Sequence, residues 1–243
     1  MPTKQNGLSL RAIYTRYAVG QGLRQFVKSR TTLAFRDALR NVRIEAVIQR
    51  KHLQSLRGVN KLRIQPPYKI HLGCGPNVKP GWVNIDLFSK EADLHLDLRE
   101  PLPFQDSSAE LIYSEHFLEH LAYPDEVNRL LRESLRVLQS GGAFSVGVPD
   151  TAWPMQSYVH ASEEYFRFSY EQGFLPNWCN TRMHVINEHF RGFGGHKYSY
   201  DLETLVGVLQ QAGFVQITER SFDPSLDSEL RKIGTLYVDA YKP

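Results

Sequence analysis

The stretch Lys69-Ile70-His71-Leu72-Gly73-Cys74-Gly75-Pro76 decides how this chain is read. Lys69 to Leu72 is a short apolar strand that runs straight into a glycine turn. Glycines at such a point let the backbone bend sharply and let a ligand approach with no Cβ in the way. In an open α/β sheet, ligands bind beyond the carboxyl ends of the strands. The next strand, Trp82 to Leu87, ends at Asp86, whose carboxylate can accept hydrogen bonds from two ribose hydroxyls. A nicotinamide cofactor fits poorly. Val78 stands where G-x-G-x-x-G needs its third glycine, and Asp86 follows Gly75 by only eleven residues, where dinucleotide folds place the acid about 20 on.

Further strands are expected at Asp93 to Leu98, Glu110 to Tyr113, Phe144 to Val148, Phe214 to Thr218 and Thr235 to Ala240. A helix is expected from Asp125 to Leu138, with Val127, Leu130, Leu131, Ser134 and Leu138 on one face and Gly141-Gly142 capping it. Another is expected from Asp201 to Ala212, with Leu202, Leu205, Val206 and Leu209 as its stripe and Gly213 as its stop. Strands alternating with helices imply a Rossmann-like, doubly wound, mainly parallel sheet, here of seven strands.

Upstream, residues 8–57 read as helices. Leu23, Phe26, Val27, Val42, Val47 and Ile48 recur at helical intervals, Gly20 and Gly22 break the arm, and Pro66-Pro67 ends it. This divides the chain into a basic helical arm, residues 1–66, and a body, residues 67–243. Charge follows the division: the arm is +12 and the body −9, within a total of +3. A basic segment attracts phosphate in anionic lipid or nucleic acid, or pairs with the acidic body itself. Among outside partners an anionic membrane surface is expected ahead of nucleic acid, and pairing with the acidic body stays open. Hydrophobic residues make up 42% of the chain, enough to bury a core. No signal peptide or membrane span is evident, and two cysteines, Cys74 and Cys179, are too few for a disulfide framework. The expected location is the cytoplasm, peripheral to the inner face of the membrane if the arm docks there.

Ile70-His71-Leu72-Gly73-Cys74-Gly75 resembles the first motif of class I S-adenosylmethionine-dependent methyltransferases. Asp86 resembles their ribose-binding acid. Asp97, with Leu98 and Pro101-Leu102-Pro103-Phe104, resembles their adenine-binding stretch. Ala109 to His116, through Glu119-His120-Leu121, is similar to their fourth motif, and Arg136 to Gly142 to the approach to their fifth strand. The resemblance spans roughly residues 68–150. It implies S-adenosylmethionine as cofactor, held by Gly73, Cys74, Gly75, Asp86, Asp97, Leu98, Ser114 and Glu115. The chain departs from the pattern at His71, where the family usually has an acid, and in the first crossover, Pro76 to Gly81, too short for a full helix. That short loop, with Thr181-Arg182-Met183-His184, His189-Phe190-Arg191 and His196 to Asp201, resembles a bacterial subgroup of methyltransferases associated with surface-polysaccharide genes. The implied acceptor is a hydroxyl on a sugar or lipid-linked glycan. An RNA methyltransferase using the arm, and a non-catalytic binding module on the same fold, are the alternatives.

His116-Phe117-Leu118-Glu119-His120 matches the H-x-x-E-H pattern of some zinc peptidases. A third ligand on a following helix does not stand out, so no metal is expected. Residues 151–200 hold twelve of the 28 aromatic residues and four of the nine histidines. This insertion, placed after the fifth strand, is expected to overhang the cofactor as a lid, lining an acceptor pocket or packing a small core of its own. Methylation of a hydroxyl needs a base, and histidine suits neutral pH. The candidates are His189, His196 and His184, with Glu188 as a partner or substitute.

Overall fold

The computed structural model describes residues 29–173, 175–192 and 195–243. Gly20, Gly22, Leu23, Phe26 and Val27 of the expected arm lie outside the described residues, as do Phe174 and Phe193 of the lid. The first described helix, α1 (Leu33–Leu56), carries the division of the chain into two compact units, which falls at Gln49–Arg50 rather than at Pro66-Pro67. In its first part Val42 and Val47 are exposed, as are Phe35 and Leu39, while Ile48 is buried. No described helix is long and apolar enough to cross a membrane.

The second unit is built on six strands: β1 (Tyr68–Leu72), β2 (Val83–Ile85), β3 (Ala109–Glu115), β4 (Leu138–Pro149), β5 (Val215–Arg220) and β6 (Thr235–Tyr241). Their order is β2-β1-β3-β4-β6-β5. The first four are parallel, and β6 runs antiparallel between β4 and β5. The sheet is therefore Rossmann-like and mainly parallel, as expected, but among the described residues it has six strands and not seven. Asp93 to Leu98 forms only one bridge, Leu94 to Ile85. The donors a ladder would use go elsewhere: the N–H of His95 donates to Ser55 Oγ and that of Asp97 to His52 Nδ1. Side chains from the end of α1 thus cap the edge that a seventh strand would need.

One sheet face is apolar. Ile70, Leu72, Ile112, Phe144 and Val146 bury against α2 (Asp125–Val137) and α6 (Leu202–Ala212). The α2 stripe is as expected except at its end. The helix stops at Val137, and Leu138 is already extended as the first residue of β4, so Gly141-Gly142 do not cap it. Those glycines instead pair with Lys242 beyond β6. On α6 the buried residues are Leu205, Val208 and Leu209, with Leu202 exposed; Asp201 caps the start and left-handed Gly213 the end.

The opposite face is polar. His71, Asn84, Tyr113, Ser145 and Asp239 stand in register across five strands. Buried Asp227 and Arg220 cover this row, with Arg220 reaching Ser145 and Asp239 and Asp227 accepting from Tyr113. No helix joins β1 to β2, in keeping with the short first crossover.

The insertion after β4 folds into α3 (Ala152–Val159), α4 (Glu164–Glu171) and α5 (Arg182–Arg191). Tyr165, Phe166, Val185 and Ile186 form its own small core, flanked by Trp153 and Phe190. Part of the aromatic content thus serves packing within the lid.

Candidate active site

The chain crosses from β1 outward to β2 and then returns to place β3 on the other side of β1. This reversal makes a topological switch point at the carboxyl ends of β1 and β3, the place where ligands of open α/β sheets bind. The glycine turn and the His116–His120 turn flank it.

Gly73 has φ of +64°, and a Cβ there would lie 2.4 Å from the Phe117 ring. No side chain fits, so glycine is required for the two turns to approach. Gly75 has φ of +52°, and a Cβ on it would meet nothing within 4 Å. This is the open side along which a ligand can lie against backbone. Cys74 between them is buried. Burial, and then the Asp86 charge, push its thiol up to about 12, so it is a filler and not a nucleophile. Asp86 ties the two strand ends together. Its Oδ2 accepts from the Gly75 N–H at 3.0 Å, and its Oδ1 accepts from the Phe88 and Ser89 N–H groups at 2.7 Å each. A carboxylate offers about four acceptor positions. Three are used, so one remains, on Oδ2.

The other expected cofactor residues are engaged differently. Asp97 is gripped by the Arg99 side chain through both carboxylate oxygens. Burial pushes its carboxyl up, but the Arg99 hydrogen bonds and charge outweigh this and hold it below the usual range. Leu98 belongs to the hydrophobic core. Ser114 is buried with no partner for its hydroxyl among the described residues. Glu115 accepts from the Ser228 N–H and the Tyr237 hydroxyl. His71 lies on the polar sheet face, 5.0 Å from Tyr113 between ring centroids.

Beside the glycine turn sits a pocket of imidazoles around one carboxylate. His116 follows β3 with φ of +51°, a strained setting for a non-glycine residue. Its N–H donates to Gly147 O, and its Nε2 lies 2.8 Å from Thr235 Oγ1. Glu119, in the turn Leu118–His120, is 2% exposed, and neither carboxylate oxygen has a partner among the described residues. Burial drives its carboxyl up to about 8. His120 Nε2 stands 3.9 Å and His116 Nδ1 4.0 Å from Glu119 Oε1, beyond hydrogen-bond length. Burial lowers both imidazoles, His120 to about 4 and His116 well below its ordinary value.

The lid sends one strap back to this pocket. Lys197 and Tyr198 donate their N–H groups to Glu119 O, which seats His196 beside Glu119 and His120. His189 is buried with Nε2 3.1 Å from Thr151 Oγ1 and Nδ1 3.0 Å from the Tyr165 hydroxyl. Burial, and then His196, lower it to about 4. With both nitrogens engaged, His189 holds the lid together. His184 sits in the first turn of α5 against exposed Trp178, accepting from the Asn180 N–H. Of the three candidate bases, only His196 joins the cluster. Glu119 and His120 were carried by the H-x-x-E-H spacing. Their third companion, His196, stands at no recognisable interval from that spacing, so sequence alone does not complete the set.

Residues 83–146 match the model of the methyltransferase domain family. The match covers Asp86 and the H-x-x-E-H turn and begins after the glycine turn. No curated protein matches the sequence. Among solved structures, the chain is similar to a S-adenosylmethionine-dependent methyltransferase from Thermotoga maritima, a possible histamine N-methyltransferase. The TM-score is 0.43 at 16% identity, over 86% of this chain and 97% of that one. It is also similar to a methyltransferase from Mesorhizobium loti, with TM-score 0.42 and 19% identity over 78% of this chain and 96% of that one. A third is phosphoethanolamine N-methyltransferase 2 from Haemonchus contortus, in complex with phosphomonomethylethanolamine and S-adenosylhomocysteine. There the TM-score is 0.45 at 12% identity, over 78% of this chain and only 53% of that one. Residues 83–146, which include Asp86, are thus similar to a methyltransferase domain, and they lie on a Rossmann-like sheet whose switch point carries the glycine turn.

Proposed function

We propose that the protein transfers a methyl group from S-adenosylmethionine to a hydroxyl of a sugar or lipid-linked glycan. The observation that carries this reading is the buried carboxylate of Glu119, which has no hydrogen-bond partner among the described residues, in the turn whose Phe117 ring lies against Gly73. A hydroxyl entering at the switch point donates its hydrogen bond into that carboxylate, where an apolar group would leave it unsatisfied.

Bound at the glycine turn and Asp86, the cofactor supplies an activated methyl group on a sulfonium. The chain's own residues supply placement. The open flank of Gly75 seats the ligand, Asp86 fixes its ribose, and the lid strap closes over the acceptor. Placement alone can contribute several kcal/mol, up to roughly 7–11 in ideal geometry. On methylation the hydroxyl would lose its proton, which the His116, His120 and His196 imidazoles around Glu119 would take up.

The glycan class is supported by the resemblance of the lid segments around His184, His189 and His196 to the surface-polysaccharide subgroup. The lid also presents exposed aromatic faces, Trp178, Tyr158 and Tyr170, suited to sugar rings. The basic arm then brings the enzyme to an anionic membrane carrying a lipid-linked acceptor. The test is incubation with methyl-labelled S-adenosylmethionine and a cell extract fractionated into glycan, lipid, RNA and protein. Label in the glycan or lipid-linked glycan fraction, stable to alkali as an ether, is expected. Label confined to RNA or protein would overturn the acceptor class.

A further inference from the structure

We propose that Glu119, His120 and His196 form a binding site for a divalent transition-metal cation of the zinc, manganese or iron(II) class. The three residues each offer a ligand atom, and these atoms lie within 4.8 Å of one another. Around a cation bound at about 2.1 Å, neighbouring ligand atoms stand roughly 3–4 Å apart. Closure by about 1 Å at the widest edge completes the set, within reach of small rotations of two imidazoles.

Three further observations point to a cation. Both oxygens of Glu119 are buried and lack partners among the described residues, which is costly for a carboxylate unless a positive group meets it. Arg231, whose charge acts on this pocket, is directed at Glu115 instead, with its guanidinium on the Glu115 carbonyl and 3.7 Å from the carboxylate. The surrounding contacts aim the imidazoles. His196 Nδ1 lies 2.8 Å from the His189 carbonyl, so it carries the proton and the lone pair is on Nε2. His120 packs edge-on against the His196 ring, with centroids 5.1 Å apart. Such outer contacts are what fix the tautomer and direction of metal-binding histidines. His189, in turn, is clamped by Thr151 and Tyr165.

The donor set selects the ion. Two imidazoles and one carboxylate suit zinc, manganese or iron(II), whereas magnesium and calcium favour all-oxygen surroundings. Three protein ligands leave coordination positions open. A hydroxyl bound there becomes more acidic, as metal-bound water does. This last role rests on the hydroxyl-acceptor reading; the site itself does not.

The experiment is equilibrium dialysis of the chelator-treated full chain against Zn²⁺, Mn²⁺ or Mg²⁺, with elemental analysis. Calorimetric titration of S-adenosylmethionine is run on the same samples. One equivalent of Zn²⁺ or Mn²⁺ per chain is expected, with Mg²⁺ binding much more weakly. Glu119→Gln and His196→Ala should each weaken cation binding by about 100-fold or more, while His160→Ala, at the exposed end of α3, leaves it unchanged. X-ray absorption of the Zn²⁺-loaded chain should show imidazole ligands, which keeps the test open if Glu119→Gln fails to fold. No stoichiometric binding, binding that survives both substitutions, or a ligand shell without imidazole would overturn the site. Cation binding without S-adenosylmethionine binding upholds the site and defeats the methyltransferase reading. Methyl transfer by a chain that binds no cation does the reverse.

Discussion

His196 Nδ1 donates to the backbone carbonyl of His189 across 2.8 Å. The two histidines divide the work of the lid. His189 is a fixed post, bonded at both ring nitrogens to Thr151 and Tyr165. His196 is the group that this post directs toward Glu119 and His120. His189→Ala should therefore lower unfolding stability by about 2–3 kcal/mol, since it empties a buried site and strands two hydroxyls. His196→Ala should change stability by less than about 1 kcal/mol and cut methyl transfer by roughly 10²–10⁴. Urea unfolding and a turnover assay of both variants separate the roles. Full stability with lost turnover in His189→Ala would give His189 the direct part.

Beneath the sheet's polar face, Arg220 and Asp227 form an ion pair with two short contacts, 2.6 Å and 2.8 Å. Their side chains are 15% and 0% exposed. Tyr113 and the Asp223 N–H complete the Asp227 carboxylate. Breaking a buried pair from one side is strongly destabilising, because the other charge is left behind. Asp227→Asn should cost about 3 kcal/mol in urea unfolding, with Asp239 retaining part of the hold on Arg220. A loss below about 1 kcal/mol, the level of a surface pair, would show that this face does not depend on the pair.

The glycine turn and Asp86 were legible in sequence because their chemistry is local: a strand end, two glycines and an acid closing the next strand. The α2 stripe was legible for the same reason, through its helical period. Asp93 to Leu98 alternated like a strand, yet became a single bridge, because Ser55 and His52 took its backbone donors. Sequence period records which side of a segment is apolar, not who accepts its hydrogen bonds. The Glu119, His120 and His196 cluster was half legible. Its third member reaches the site only through the return of the lid strap, held by Lys197 and Tyr198 on Glu119 O.

His71 gives the protein an acid-sensitive element. Burial, and then the charges of Lys79 and Arg231, push its imidazole down to about 3. The unfolded chain takes up this proton near pH 6.5, about the free imidazole value. Between the two values the unfolded state holds a proton that the native state refuses, so stability falls as pH drops through that window. One proton corresponds to about 1.4 kcal/mol per pH unit. Unfolding measured at pH 7, 6, 5 and 4 should show His71→Gln with a slope shallower by about one proton. Identical slopes in the two proteins would mean that His71 is protonated in the fold.

The basic arm should bind anionic vesicles in a salt-sensitive way. Sedimentation with such vesicles is expected for the full chain, with loss when residues 1–49 are deleted or when salt is raised. Neutral vesicles should bring down neither protein. Sedimentation indifferent to lipid charge and to salt would remove the membrane from the account.

Calorimetric titration with S-adenosylmethionine tests the central claim most directly. The intact chain should bind one equivalent. Asp86→Ala should bind about 10- to 100-fold more weakly, the loss of one charged hydrogen bond of about 1.5–3 kcal/mol. Asp86→Asn, which keeps an acceptor oxygen for the Gly75 turn, should fall between them, and circular dichroism should show all three folded. Undiminished affinity in a folded Asp86→Ala, or an intact chain that binds no S-adenosylmethionine, would contradict the account.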